Sequence, residues 1–187
     1  MRIIGGELKG SLLSNTKDND TRPLKDNTKE SIFNLLMHSN KIGFKIEESS
    51  VLDLYSGTGS FGLECLSRKA KNVSFIEKEE KALKILKKNI EKLNLKKKTR
   101  VFSNDVIKLI EKQSIFVSKF DLIFCDPPFK NKNIEDLIQL IFLSKLLKEK
   151  GVFIIHRNKN FKDIFPNCFK IIDIRNYGIS KIIFGKF

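Results

Sequence analysis

"VLDLYSGTGSFGLE", Val51 to Glu64, is the stretch on which the fold turns. It opens as a short apolar run, breaks at "YSGTGS" and resumes as "SFGLE" with helical character. Gly57, Gly59 and Gly62 fit G-x-G-x-x-G between that strand and that helix. Glycines at such a junction permit a tight turn and let a ligand approach the backbone closely. Glu77 ends the next apolar run, "NVSFIE", 20 residues after Gly57. An acid there can accept both hydroxyls of an adenosine ribose. The plainer reading is a tight strand-to-helix turn beside a surface acid. Glycines, strand, helix and acid together point instead to a cofactor site.

Downstream the alternation continues. "EEKALKILKKNIEKLNL" sets Ala82, Leu83, Leu86, Ile90 and Leu93 on one helical face. "TRVFSND" reads as a strand, "VIKLIEK" as a short helix, and "FDLIFCD" as a strand. Its contiguous Leu122, Ile123 and Phe124 imply burial on both faces. "NIEDLIQLIFLSKLL" reads as a helix and "GVFIIH" as a strand. Such alternation implies an α/β fold, a mostly parallel Rossmann-like sheet with helices on both faces. The closing "CFKIIDIRNYGISKIIFGKF" has two β-rich runs around "NYGIS" and no room for a helix, so it predicts an antiparallel hairpin.

Upstream the pattern differs. "MRIIGGELKGSLL" predicts two short strands in a hairpin around Gly5 and Gly6. "NTKDNDTRP" is a polar loop. "NTKESIFNLLMHS" predicts a helix with Asn27 and Glu30 as a capping pair. The expected organisation is an N-terminal extension over 1–50 and one catalytic domain over 51–187.

Bulk properties narrow the function. No apolar run reaches the roughly 18 residues of a membrane span, and no signal peptide is visible. Cys65, Cys125 and Cys168 are odd in number and widely spaced. They read as buried thiols of a reducing cytoplasm, not as a disulfide frame or a metal site. The net charge is +14. A polyanionic partner accounts for it. So does a compositional bias, because thirty of the 36 basic residues are Lys.

Three groups of residues carry chemistry. Asp53 stands inside an otherwise apolar strand, where a carboxylate is costly unless paired. A cationic ligand offsets that cost, which favours S-adenosylmethionine over a dinucleotide, whose pyrophosphate would need the helix N-terminus. In "SND", Asp105 sits where it can accept from an adenine amino group or cap the following helix, and the two roles can coexist. "DPPF", Asp126 to Phe129, follows an apolar strand. An exocyclic base amine is a poor nucleophile because its lone pair is delocalised into the ring. The Asp126 carboxylate and the Pro127 carbonyl can each take one N–H and so aim that lone pair at a methyl donor. Pro127 and Pro128 hold the carbonyl rigidly. Phe129 offers a face on which an extruded base can stack. The plainer reading is a strand-ending Pro-Pro turn. His38 and His156 have no partner at catalytic spacing and read as structural. Alternation turns Cys125 away from Asp126 and into the core.

"VLDLYSGTGSFGLE", "FIEKE", "SND" and "DPPF" resemble class I S-adenosylmethionine-dependent methyltransferases acting on nucleobase amino groups. "RIIGGELKG", "TRPLKDNTKESIFNLL", "GLECLSRKA" and "YGISKIIF" narrow the resemblance to bacterial 16S rRNA guanine-N2 methyltransferases of the RsmD type. That resemblance implies a seven-stranded sheet and methylation of one guanine in small-subunit rRNA by a monomer. It implies that Asp53, Ser56, Gly57, Gly59 and Glu77 hold the cofactor, with Asn104 and Asp105 near the adenine. It also implies that Asp126, Pro127 and Phe129 hold the guanine and that Arg22 lies at the mouth of the site. One departure stands out: "HRNKN" begins at His156, where an acid is expected.

Three rivals are weaker. A DNA adenine-N6 or cytosine-N4 methyltransferase shares "DPPF" but usually needs a separate target-recognition region. An NAD-dependent oxidoreductase leaves "DPPF" unexplained. A non-catalytic RNA-binding module would have no need of Asp126 and Glu77.

Overall fold

A computed structural model of the chain describes residues 1–15, 24–112, 115–116, 118–128 and 134–187. Along the chain run α1 (Asp26–His38), β1 (Ser50–Leu54), α2 (Ser60–Ser67), β2 (Asn72–Glu77), α3 (Glu80–Lys92) and β3 (Thr99–Ser103). They are followed by α4 (Val106–Glu111), β4 (Phe120–Cys125), α5 (Ile134–Leu143), β5 (Leu147–Asn158), β6 (Lys170–Tyr177) and β7 (Ser180–Lys186).

The seven strands form one sheet in the order β3-β2-β1-β4-β5-β7-β6. β1 to β5 pair in parallel, whereas β7 lies antiparallel between β5 and β6. The order reverses between β1 and β4, so the crevice where such sheets bind ligands opens at the carboxyl ends of those two strands. The alternation of strand side chains sorts the apolar residues into two cores. Val51, Phe75, Phe124 and Ile154 pack with α1, α2 and α3 on one face. Leu52, Ile76, Cys125 and Ile155 pack with α4 and α5 on the other.

Several elements end differently from the sequence expectation: α5, expected to reach Leu147, stops at Leu143. α3 stops at Lys92, because Asn94 takes a left-handed φ of 56°. β5 begins at Leu147, four residues early, because Leu147 pairs with Phe120 across an irregularity in the ladder to β4. The expected N-terminal hairpin forms only in part. Residues 1–15 make a single antiparallel bridge, Arg2 to Leu12, and no named strands. Bonds from Ile3 N to Ser11 O and from Gly10 N to Ile3 O close the loop. The capping pair is absent: Asn27 lies within α1, and Lys25 precedes the helix without a side-chain cap.

What holds the N-terminal segment is α2, buried along its whole length. Gly6, at φ 78°, lies so close to the Ser67 carbonyl that a Cβ would collide with it. The Glu64 carboxylate accepts from the backbone amides of Ile4 (2.7 Å) and Gly5 (2.8 Å) and from Arg68 Nε (2.9 Å). Lys29 of α1 lies 3.6 Å away, and both of these side chains are fully buried. Lys29 Nζ also donates to the Arg2 carbonyl and to Ser60 Oγ. Burial lowers the Lys29 pKa, and the Glu64 charge opposes that shift. A buried charge stays ionised only with such partners, so the network locks residues 1–5, α1 and α2 in one arrangement.

Candidate active site

Four polar side chains share one parity along the strands. Asp53 on β1, Glu77 on β2, Asp126 just after β4 and His156 on β5 all alternate to the face that packs on α2. They therefore meet at the upper edge of one core, at the reversal point of the sheet.

The loop after β1 begins with Tyr55 at φ 58°, a left-handed conformation that non-glycine residues seldom adopt and that recurs at functional sites. Ser56 donates through both N and Oγ to the Ile76 carbonyl. Gly57 (φ 54°) and Gly59 (φ 86°) also need the left-handed region, and they answer different demands. A Cβ on Gly57 would meet nothing within 4 Å, so its face is open to a ligand. A Cβ on Gly59 would strike Leu86 of α3. Gly62, inside α2, lets the helix close onto Phe75 and Val73.

Glu77 ties this loop to β2. Its Oε2 accepts from Gly57 N at 2.7 Å, and its Oε1 accepts from the amides of Lys78 and Glu79, both at 2.8 Å. Asp53 is 1% exposed, and its Oδ2 accepts from Gly62 N at 3.0 Å. Burial pushes its carboxyl well above the usual range; the Asp126 and Glu77 charges add to the effect and the Gly62 bond opposes it. A buried acid beside two other acids is an attractive seat for a cation.

Asp105 is the N-cap of α4, accepting from the amides of Ile107 and Lys108. It also pairs with Lys78 at 3.1 Å. Burial works against its charge, but Lys78 and the two amides outweigh it and hold the carboxyl below its ordinary value. Asn104, exposed beside it, donates its backbone N–H to the Glu77 carbonyl.

Asp126 leaves β4 with its N–H directed at the Leu54 carbonyl, 3.4 Å away. Pro127 is buried and Pro128 exposed. Beneath them Phe124 stacks on Phe61 at 3.8 Å between ring centres, and Phe61 stacks on Phe33 of α1. Cys125 points to the opposite face, where burial raises its thiol pKa, as expected of a core residue. Arg22 and Phe129 lie outside the described residues.

His156 corrects the sequence reading. It is buried, its Nδ1 lies 2.8 Å from Asp126 Oδ1, and its Nε2 lies 2.8 Å from Ser180 Oγ. The parallel register of Cys125 with Ile155 brings Asp126 alongside His156. That register, combined with strand parity, is the signal that could have found the pair. Asn89, a fully buried residue of α3, was also missed. It accepts from Ser14 N and donates to the carbonyls of Ser14 and Thr58, so it joins the N-terminal segment to the glycine loop. Among the described residues, no group of three or more His, Cys, Asp or Glu side chains could hold a metal ion. None of the described helices is long and apolar enough to cross a membrane.

The family model described as "Conserved hypothetical protein 95" matches residues 1–186. The chain is 33% identical to "Putative rRNA methyltransferase YlbH" of Bacillus subtilis, over 85% of this chain and 83% of that protein. It is 32% identical to "Ribosomal RNA small subunit methyltransferase D" of Haemophilus influenzae, over 96% of this chain and 90% of the relative. The solved structure of "putative methylase HI0767" from Haemophilus influenzae superposes with a TM-score of 0.77 at 29% identity, covering 98% of this chain and 96% of that one.

Proposed function

Because this chain belongs to the family described as "Conserved hypothetical protein 95" and is similar to proteins named as rRNA methyltransferases, we propose that it methylates the exocyclic N2 of one guanine in 16S rRNA. S-adenosylmethionine is the methyl donor. The observation that carries the reading is the position of Asp126 and Pro127 at the carboxyl end of β4, across the reversal point from Asp53 and the glycine loop.

The residues fit the donor. S-adenosylmethionine supplies a methyl group on a cationic sulfonium together with an ammonium. Asp53, buried and with a raised pKa, gains a counter-charge when a cation arrives. Gly57, on the open side of the loop, and Ser56 beside it meet the donor. Glu77 serves the ribose hydroxyls, exchanging or sharing its bond to Gly57 N. Asn104 and Asp105 stand at the adenine end.

The remaining steps belong to the protein. The Asp126 carboxylate and the Pro127 carbonyl accept the two N–H bonds of the guanine amine. That geometry directs the nitrogen lone pair at the methyl carbon. The nitrogen would give up one proton on taking the methyl group from the sulfonium, and Asp126, already accepting one of its N–H bonds, would receive it. Pro128 stiffens the turn, Phe129 stacks on the base, and Arg22 meets RNA phosphate or cofactor at the mouth. Residues 1–50 act as an extension of the catalytic domain at 51–187. The partner is the small ribosomal subunit or an assembly intermediate, and the enzyme works as a cytoplasmic monomer without a metal.

The test is Asp126→Ala. Methyl transfer to small subunits should fall by at least about a hundredfold, while S-adenosylhomocysteine still binds by calorimetry. A variant that remains active would remove Asp126 from the chemistry.

A further inference from the structure

We propose that His156 is a positioning residue for Asp126: a neutral imidazole, its Nδ1–H on the carboxylate and its Nε2 on the Ser180 hydroxyl, that fixes which carboxylate oxygen receives the amine. The inference rests on the reading of Asp126 given above. Three strands build the relay. Asp126 leaves β4, His156 lies on β5, and Ser180 opens β7 in the antiparallel ladder that pairs it with Asn158.

The proton positions follow from the chemistry of the partners. An ionised carboxylate only accepts, so at 2.8 Å from Asp126 Oδ1 the Nδ1 atom must carry the hydrogen. In the neutral ring Nε2 is an acceptor, and the Ser180 hydroxyl, 2.8 Å away, donates to it. Oδ1 is committed to the imidazole, and Oδ2 is left for the guanine N–H. A carboxylate held at one oxygen cannot rotate away, and small misplacements of such a group are costly in rate.

The residue type also matters. A Lys or Arg at 156 would bind Asp126 more strongly, drain its acceptor strength and place a positive charge beside a cationic methyl donor. A carboxylate there would repel Asp126. A neutral imidazole donates one hydrogen bond and adds no charge. The adjacent Arg157 does not compete, because its guanidinium pairs with Asp163 at 2.9 Å.

Two measurements test the assignment, one of them independent of activity. The chain has two histidines, so ¹⁵N NMR with a His38→Gln control identifies the His156 ring. The expected spectrum shows Nδ1 protonated and Nε2 bare at neutral pH; Ser180→Ala should keep that tautomer, which Asp126 sets, and move only the Nε2 resonance. An Nε2–H ring in the native protein, or freely exchanging tautomers, would overturn the proposal even if His156 variants fail to fold. In methyl transfer, His156→Ala should lower kcat by about ten- to hundredfold, with KM for the RNA nearly unchanged. His156→Asn, whose side-chain amide can occupy the Nδ1 position, should recover most of that loss. An Asn variant no better than Ala would contradict the proposal. If the native enzyme transfers no methyl group to rRNA, the proposed function fails, while the tautomer result still decides the His156–Asp126 pairing.

Discussion

Asp53 shows how one buried carboxylate can favour ligand binding over stability. Its folded pKa lies above the ordinary value, so the stabilisation it contributes is complete below the ordinary carboxylate range. That contribution is lost as pH rises through the folded pKa. Asp53→Asn keeps an oxygen for the Gly62 N–H and removes the charge. The ligand-free variant should therefore be more stable than the native protein at neutral pH, with the gap closing toward pH 4. Urea midpoints across that range check the sign, and a gap that widens on acidification would contradict it. The same variant should bind S-adenosylhomocysteine about ten- to a hundredfold more weakly, as read by calorimetry. Asp53 was legible in the sequence because an acid in an apolar strand demands a reason. His156 was not, because its partner lies 30 residues away and only the strand register brings the two together.

At the scale of elements, α2 bears on both halves of the molecule. Its N-terminal turn follows the glycine loop, and Glu64 on its buried length anchors the N-terminal segment. Removing one member of a buried ion network strands the others. Glu64→Ala should cost about 3–5 kcal/mol in denaturant unfolding, whereas Glu80→Ala, which breaks only the exposed pair with Lys84, should leave the denaturant midpoint nearly unchanged. Equal effects at the two sites would show that the Glu64 network is not the anchor. Most elements were legible from periodicity: β2 and the face of α3 follow the expected pattern. The N-terminal segment was legible only in part: it does turn back on itself, with Arg2 bridging Leu12, but the amides of Ile4, Gly5, Glu7 and Leu8 go to α2. Local sequence cannot display a partner some 60 residues away.

For the whole molecule, the closing strands complete the site as well as the sheet. β7 covers the edge of β5 and supplies Ser180 to His156. A chain truncated before β6 would expose that edge and lose the relay, so it should aggregate rather than persist as a smaller enzyme; a folded, active truncation would refute the dependence. The α/β class could be read from the alternation of strands and helices, but the strand order that sets the reversal point could not. The insertion of β7 between β5 and β6 could not, since a terminal hairpin can join a sheet by either strand. The net charge of +14 suits an RNA partner but does not select a base. That selection is tested most directly by presenting small subunits, free rRNA and DNA with S-adenosylmethionine carrying a labelled methyl group, then digesting the products to nucleosides. The account predicts label in N2-methylguanosine from small-subunit rRNA; label in any other nucleoside, or in DNA alone, would contradict it.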